Sequence, residues 1–361
     1  MIHDGFIYLA TLMLLAAILV NLPVHLRGKG AQTFFKFAPP IVLIYLGMML
    51  LCTMKVWDLQ DTSAIYVAIK NPLLYAMLFL MLLRCDLKKI IKLGPKMLIG
   101  FFSASISIGV GFVVSYGIFH KLLGPESWKA LAALCGSWLG GGSNMLAIQA
   151  ILDVSEESLA YSLVMDSVCA VIYVMFLLWV INFSKEFNAW TKADVRLIDE
   201  VGASLEKEAR EDKRPLTWKN MLLLIGVSFF ISSLSKDAGV MVASVLPVFD
   251  KATWTVLLVT AAGLIAAMTP FGKIKGTEEV SNIILYIVVA MIASRADISA
   301  MGNAPVWLAA GFLILLIHVT VMVILAKLIR LDIFTCGVAS LANIGGTATA
   351  PVLAGAYSSA L

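Results

Sequence analysis

GSWLGGGSNMLAIQ, residues 136–149, sets three consecutive glycines, two serines, an asparagine and a glutamine inside a stretch that is otherwise apolar. An unpaired amide or carbonyl costs several kcal/mol in hydrocarbon, so a helix is interrupted there only where protein or a wet cavity receives the freed groups. Glycine both interrupts a helix and lets a ligand approach the backbone. An interrupted helix presents N–H groups at one half-helix and carbonyls at the other, the first suited to anions and the second to cations.

The surroundings of this stretch decide that the interruption lies in a membrane. The 361 residues are 60% hydrophobic and 14% charged, with a mean hydropathy of +0.93. Charges gather between apolar runs of the length a helix needs to cross about 30 Å of hydrocarbon. The strict alternation of a transmembrane barrel is absent. The expected fold is an all-α polytopic membrane protein with spans at residues 6–24, 39–54, 66–83, 96–119, 128–150, 158–182, 217–235, 252–268, 280–294, 304–329 and 334–355. Five scattered cysteines lack metal-ligand spacing, and the net charge of +4 comes from span ends, which fits membrane loops and excludes a nucleic-acid surface. No cofactor is expected.

The one long polar stretch divides the chain into a first repeat (1–182, six transmembrane segments), a charged linker (183–216) and a second repeat (217–361) lacking its last helix. Ile198, Val201 and Leu205 share one face, so a short surface helix is the alternative to a solvated linker there. The halves resemble each other. Arg84 and Asp86 match Arg295 and Asp297, Pro95 matches Pro305, and GGGSN (Gly140, Gly141, Gly142, Ser143, Asn144) matches NIGGTAT (Asn343, Gly345, Gly346, Thr347, Thr349). An inverted repeat needs an odd number of crossings between equivalent points, and the spans between Arg84 and Arg295 give six. Residues 238–249 are the candidate seventh, and the positive-inside pattern then places the basic loops on one side. Asn71 before Pro72 marks a further candidate break in the third span.

Two such breaks define a site between half-helices. Its candidate substrate-binding residues are Gly140, Gly141, Gly142, Ser143, Asn144, Gln149, Asn343, Gly345, Gly346, Thr347, Thr349 and His318. Asp166 is the one carboxylate well inside a span, and such a group faces a polar cavity, a partner or a proton. With Asn144, Ser143 and Thr347 it is the candidate Na⁺ ligand set, because Na⁺ prefers oxygen. Proton coupling at Asp166 is the alternative.

The GSWLGGGSNM and NIGGTATAP stretches make the chain resemble the membrane family known as domain of unknown function 819. That family is grouped with sodium/proton antiporters, bile-acid sodium symporters and bacterial glutamate symporters. The resemblance implies a core and a scaffold domain, two crossed discontinuous helices meeting at Gly140–Asn144 and Asn343–Thr347, and elevator-type alternating access. It also places Asp166 where relatives carry the ion. A second adjacent aspartate is absent, which favours sodium/solute symport over simple exchange. The expectation is a cation-coupled (Na⁺ or H⁺) secondary transporter of a small polar or anionic solute, such as an amino acid, a short cell-wall-derived peptide or an organic acid. It would sit as an integral protein in a bacterial cytoplasmic (inner) membrane or an organelle membrane. Its partners would be the solute and lipid, with homodimerisation suggested by related scaffolds, and it would not be an enzyme. Competing readings are an intramembrane serine hydrolase, with Ser143 as nucleophile and His318 as base, and an ion channel.

Overall fold

The computed structural model describes residues 1–26, 34–35, 40–83, 94–193, 216–296 and 304–344. Among these, thirteen α-helices account for nearly all regular structure: α1 Gly5–His25, α2 Pro40–Thr53, α3 Ser63–Leu83, α4 Gly94–Leu123, α5 Ser127–Gly140, α6 Gly142–Leu152, α7 Glu156–Val180, α8 Ser184–Thr191, α9 Trp218–Val245, α10 Lys251–Ala267, α11 Thr277–Ala293, α12 Ala304–Ile329 and α13 Ile333–Ile344. Six helices contain segments long and apolar enough to cross a membrane: α1, α3, α4, α7, α9 and α12. Side chains such as Phe230, Leu234 and Leu316 are exposed on them, as hydrocarbon requires.

Two expectations about span boundaries are corrected. Residues 238–249 are not a separate crossing, because 238–245 form the last turns of α9. The dip in hydropathy at Lys236–Asp237 is two exposed side chains on a continuous helix, and no proline follows before Pro247. Likewise α3 runs unbroken through Asn71 and Pro72. Ser232 of α9 donates its hydroxyl to the Pro72 carbonyl at 2.9 Å, so a neighbouring helix serves backbone at the proline.

The chain forms two compact units, and each takes segments from both sides of the charged stretch. The first comprises Met1–Asp86, Leu146–Ser167 and Pro215–Gly302. Here α3 packs against α9, α10 and α11. Glycines allow that closeness: a Cβ on Gly263 would lie 2.8 Å from Leu82 Cβ, and one on Gly239 would lie 2.9 Å from the Thr255 backbone nitrogen. One end of the unit is tied by polar groups. Ile2 pairs with Trp57 in a single parallel bridge, and Trp57 Nε1 donates to Ser294 O at 2.8 Å. The Arg295 guanidinium donates to Leu59 O and, at 3.0 Å, to Thr62 Oγ1. Its centre lies 5.6 Å from the Tyr8 ring centroid and 4.6 Å from that of Tyr66. Tyr66 in turn donates to Glu156 Oε1 at 3.0 Å.

In the same loop Asp58 Oδ1 accepts the backbone N–H groups of Gln60 and Asp61 at 2.8 and 2.9 Å. Those two bonds, chiefly the one from Asp61, hold its carboxyl below the ordinary value of 3.8. A depressed folded pKa contributes stability that is present above the unfolded value and lost as pH falls through the folded one. Asp58→Asn is therefore expected to be less stable than wild type at neutral pH, with the difference closing below about pH 4. Unfolding curves of both proteins across pH 2–7, a range chosen to bracket the ordinary carboxylate pKa of roughly 4, check this. A difference unchanged by pH would contradict it.

The second unit comprises Leu87–Met145, Val168–Arg214 and Asn303–Leu361. Its centre is the antiparallel pair α4 and α12, on which α13 packs, while α5 lies against α4 and α13. Small residues one turn apart on α4 meet a matching row on α12. Ser107 bonds His318, a Cβ on Gly111 would lie 2.9 Å from Ile314 Cγ2, and Ser115 donates to Ala310 O at 2.9 Å. The four-residue step in both rows is what lets two helices approach along one ridge.

The surface helix read at Ile198, Val201 and Leu205 lies outside the described residues, as do Arg84, Asp86 and Asp297. A different short helix, α8, occupies the first part of the charged stretch.

Candidate functional site: a broken helix and a buried polar seam

The apolar span expected at 128–150 is two helices, with Gly141 between them at φ 97°, ψ 173°. That backbone conformation is open almost solely to glycine. The Gly141 N–H closes α5 by donating to Ser137 O at 2.6 Å, and its carbonyl opens α6 by accepting from Asn144 N at 2.9 Å. Both sides of the break therefore carry backbone groups that the helical ladder does not use: the last carbonyls of α5 and the first amides of α6. Ser137 and Ser143 are buried at 4% and 5% exposure, whereas Gly140 and Asn144 are exposed. The Asn144 amide folds back over Gly140, so that a Cβ there would meet Nδ2 at 2.0 Å. Gly142 is the first residue of α6.

The same unit holds a buried polar seam along α4, α12 and α13. His318 is fully buried. Its Nδ1 lies 2.6 Å from Ser107 Oγ, and its Nε2 lies 3.0 Å from Ser340 Oγ. Ser107 Oγ also donates to Ala104 O at 2.8 Å. Its one proton being engaged there, it accepts from Nδ1–H, which leaves Nε2 to accept from Ser340. The Tyr173 ring closes the pocket, 5.7 Å away centroid to centroid and edge-on. Both imidazole nitrogens are thus occupied by side chains of the protein. Asn343 is also fully buried. Its Oδ1 accepts from Ser105 Oγ at 2.8 Å, and its Nδ2 donates to Ala339 O at 2.8 Å. It stands at the C-terminal end of α13 and is the first residue of the second glycine motif. Gly345, Gly346, Thr347 and Thr349 lie outside the described residues.

Two further candidates belong to the first unit. Gln149, on α6, is 3% exposed; its Nε2 donates to Val154 O at 3.3 Å, while Oε1 has no partner. Asp166 is half-buried in α7.

Sequence reasoning passed over Ser105, Ser107 and Ser340. A signal for Ser107 was present: Ser107, Gly111 and Ser115 recur every four residues, as do Ala310, Ile314 and His318.

Long apolar helices, half-length helices meeting at a glycine and hydrogen-bonded polar side chains buried between them define the class: an integral, polytopic α-helical membrane protein. Within that class the chain belongs to the family described as protein of unknown function (DUF819), whose model matches residues 10–361. It is similar to a Bacillus subtilis (strain 168) protein named uncharacterized membrane protein YjcL, with 21% identity over 342 residues, 90% of this chain and 84% of the relative.

Proposed function

We propose that this protein is a cation-coupled secondary transporter of a small polar or anionic solute, with Na⁺ as coupling ion. The observation that carries the reading is the break at Gly141: an apolar segment gives up helical hydrogen bonds where it also places Ser137, Ser143 and Asn144. In a membrane, unwound backbone of this kind persists beside a cavity or a ligand. The amides of α6 suit a carboxylate or similar anion, and the carbonyls of α5 suit a cation.

Helix length fits an interrupted span. α5 has 14 residues and α6 has 11, about 21 and 17 Å of helix, each short of a full crossing. Asp166 is proposed as the residue that takes the coupling ion. Alternating access of the elevator type completes the proposal. The serine hydrolase reading needs an imidazole nitrogen for Ser143, and those of His318 are held by Ser107 and Ser340.

The test is thermal unfolding of the purified protein in detergent, in Na⁺ against K⁺ or choline at equal ionic strength. Na⁺ at about 100 times its dissociation constant adds roughly 2.7 kcal/mol if it binds only the folded state. Stabilisation by Na⁺ that is missing in Asp166→Asn is the expected result. Equal stability in all three salts, with Asp166→Asn altering only the pH dependence, would transfer the coupling role to the proton. Indifference to both ions in wild type and variant would sink the coupling claim.

A further inference from the structure

The short helix α8 is fixed on one side and open on the other. On its fixed side, Asn188 Oδ1 accepts the N–H of Ile333, the first residue of α13, at 2.9 Å. Lys327, in the last turn of α12, donates its ammonium to Trp190 O and lies 4.7 Å from the centroid of the Trp190 ring. Ser184 and Thr191 are buried beneath.

The open side is basic and aromatic. Lys185 lies in the first turn of α8, and Lys192 caps its C-terminal end in the left-handed conformation. Both are exposed, as is Arg330 in the turn between α12 and α13. Among the described residues none of these three cations is in an ion pair. Among the described residues two acids stand nearby: Glu186 is exposed a residue further round the helix, and Asp332 is buried with its carboxylate accepting from Thr335 N and Oγ1 at 2.7 and 2.6 Å. Three rings of the same stretch of chain are exposed, Trp179 (60%), Phe183 (47%) and Trp190 (46%). Such rings settle at the level of lipid headgroups, with the apolar body in the acyl region and the indole N–H in the polar layer.

Exposed cations and exposed rings at the end of a membrane helix match one ligand chemistry, a phosphate attached to acyl chains. We propose that α8 and the α12–α13 turn form a headgroup site for an anionic phospholipid. Lys185, Lys192 and Arg330 take the phosphate, and Trp179, Phe183 and Trp190 lie against the acyl chains. Because Asn188 holds the first amide of α13, a lipid bound here anchors the start of the half-helix that leads to Asn343. The site is independent of the transported solute.

The experiment titrates the full-length protein in neutral detergent with phosphatidylglycerol, phosphatidylcholine or inorganic phosphate. It reads thermal unfolding and lipid retention by native mass spectrometry. At about 1 kcal/mol per basic residue near an anionic surface, three cations give on the order of 100-fold preference for phosphatidylglycerol over phosphatidylcholine. The triple variant Lys185→Gln, Lys192→Gln, Arg330→Gln should lose that preference while unfolding like wild type in phosphatidylcholine. Exchanging the three for other cations, Lys185→Arg, Lys192→Arg and Arg330→Lys, should keep it. Equal retention of both lipids by wild type, or an undiminished preference in the glutamine variant, overturns the proposal. Stabilisation by inorganic phosphate alone overturns it too, in favour of a soluble anion.

Discussion

Gly141→Ala is expected to destabilise the protein by about 1–3 kcal/mol, the range for a side chain forced into a backbone region that only glycine occupies freely. Space is not the obstacle, since nothing lies within 4 Å of the Cβ position at Gly141. The cost arises from φ 97°, ψ 173°, which an alanine can leave only by rotating α6 relative to α5. The neighbouring glycines separate this effect from general crowding. Gly142 likewise has nothing within 4 Å and no positive φ, so Gly142→Ala is expected to be neutral or slightly stabilising through better helix propensity. A Cβ on Gly140 meets only the end of the Asn144 side chain, which can swing away. Chemical unfolding in detergent ranks the three variants. If Gly142→Ala proves as damaging as Gly141→Ala, the break is sensitive to side-chain volume and the conformational argument fails. Under the proposed function Gly141→Ala also abolishes solute flux, because the amides of α6 no longer face their ligand.

Arg295→Ala is expected to cost about 3 kcal/mol. Its guanidinium makes two charged hydrogen bonds, to Leu59 O and Thr62 Oγ1, each worth roughly 1.5–3 kcal/mol before allowance for its partial exposure. The two aromatic faces of Tyr8 and Tyr66 add about 0.5–1 kcal/mol apiece. One side chain thus joins the end of α11 to the loop before α3, to α1 and to α3 itself. Nε is buried without an acceptor, a loss that the other contacts outweigh. Arg295→Lys keeps the charge but not the planar fork, and is expected to recover less than half of the stability. Full recovery with lysine would mean that the corner needs a cation and not this geometry.

These two positions also mark what was legible in advance. The glycine break was, because three consecutive glycines flanked by Ser137, Ser143 and Asn144 have no place in an ordinary apolar helix. Arg295 was noticed as half of a repeated Arg–Asp pair; among the described residues its partners are an aromatic clamp, a loop carbonyl and the Thr62 hydroxyl, which no local pattern announces. His318 shows the same limit. A lone histidine in LLIHVTV invites a functional reading, and only the packing reveals that Ser107 and Ser340 occupy both its nitrogens. The errors at 238–249 and at Asn71–Pro72 share one cause. Charge and proline lower a local score, but a helix continues wherever neighbouring helices and the aqueous edge serve its polar groups, as Ser232 does at Pro72.

By itself the sequence determined that this chain spans a membrane with helices and that one of them breaks at Gly140–Gly142, because burial in hydrocarbon and backbone freedom are properties of short stretches. Tertiary structure alone decided which polar side chains meet. Ser107 and His318 are separated by 211 residues, and Arg295 and Leu59 by 236. A hydrogen bond depends on angles and distances near 3 Å that only the packed helices impose.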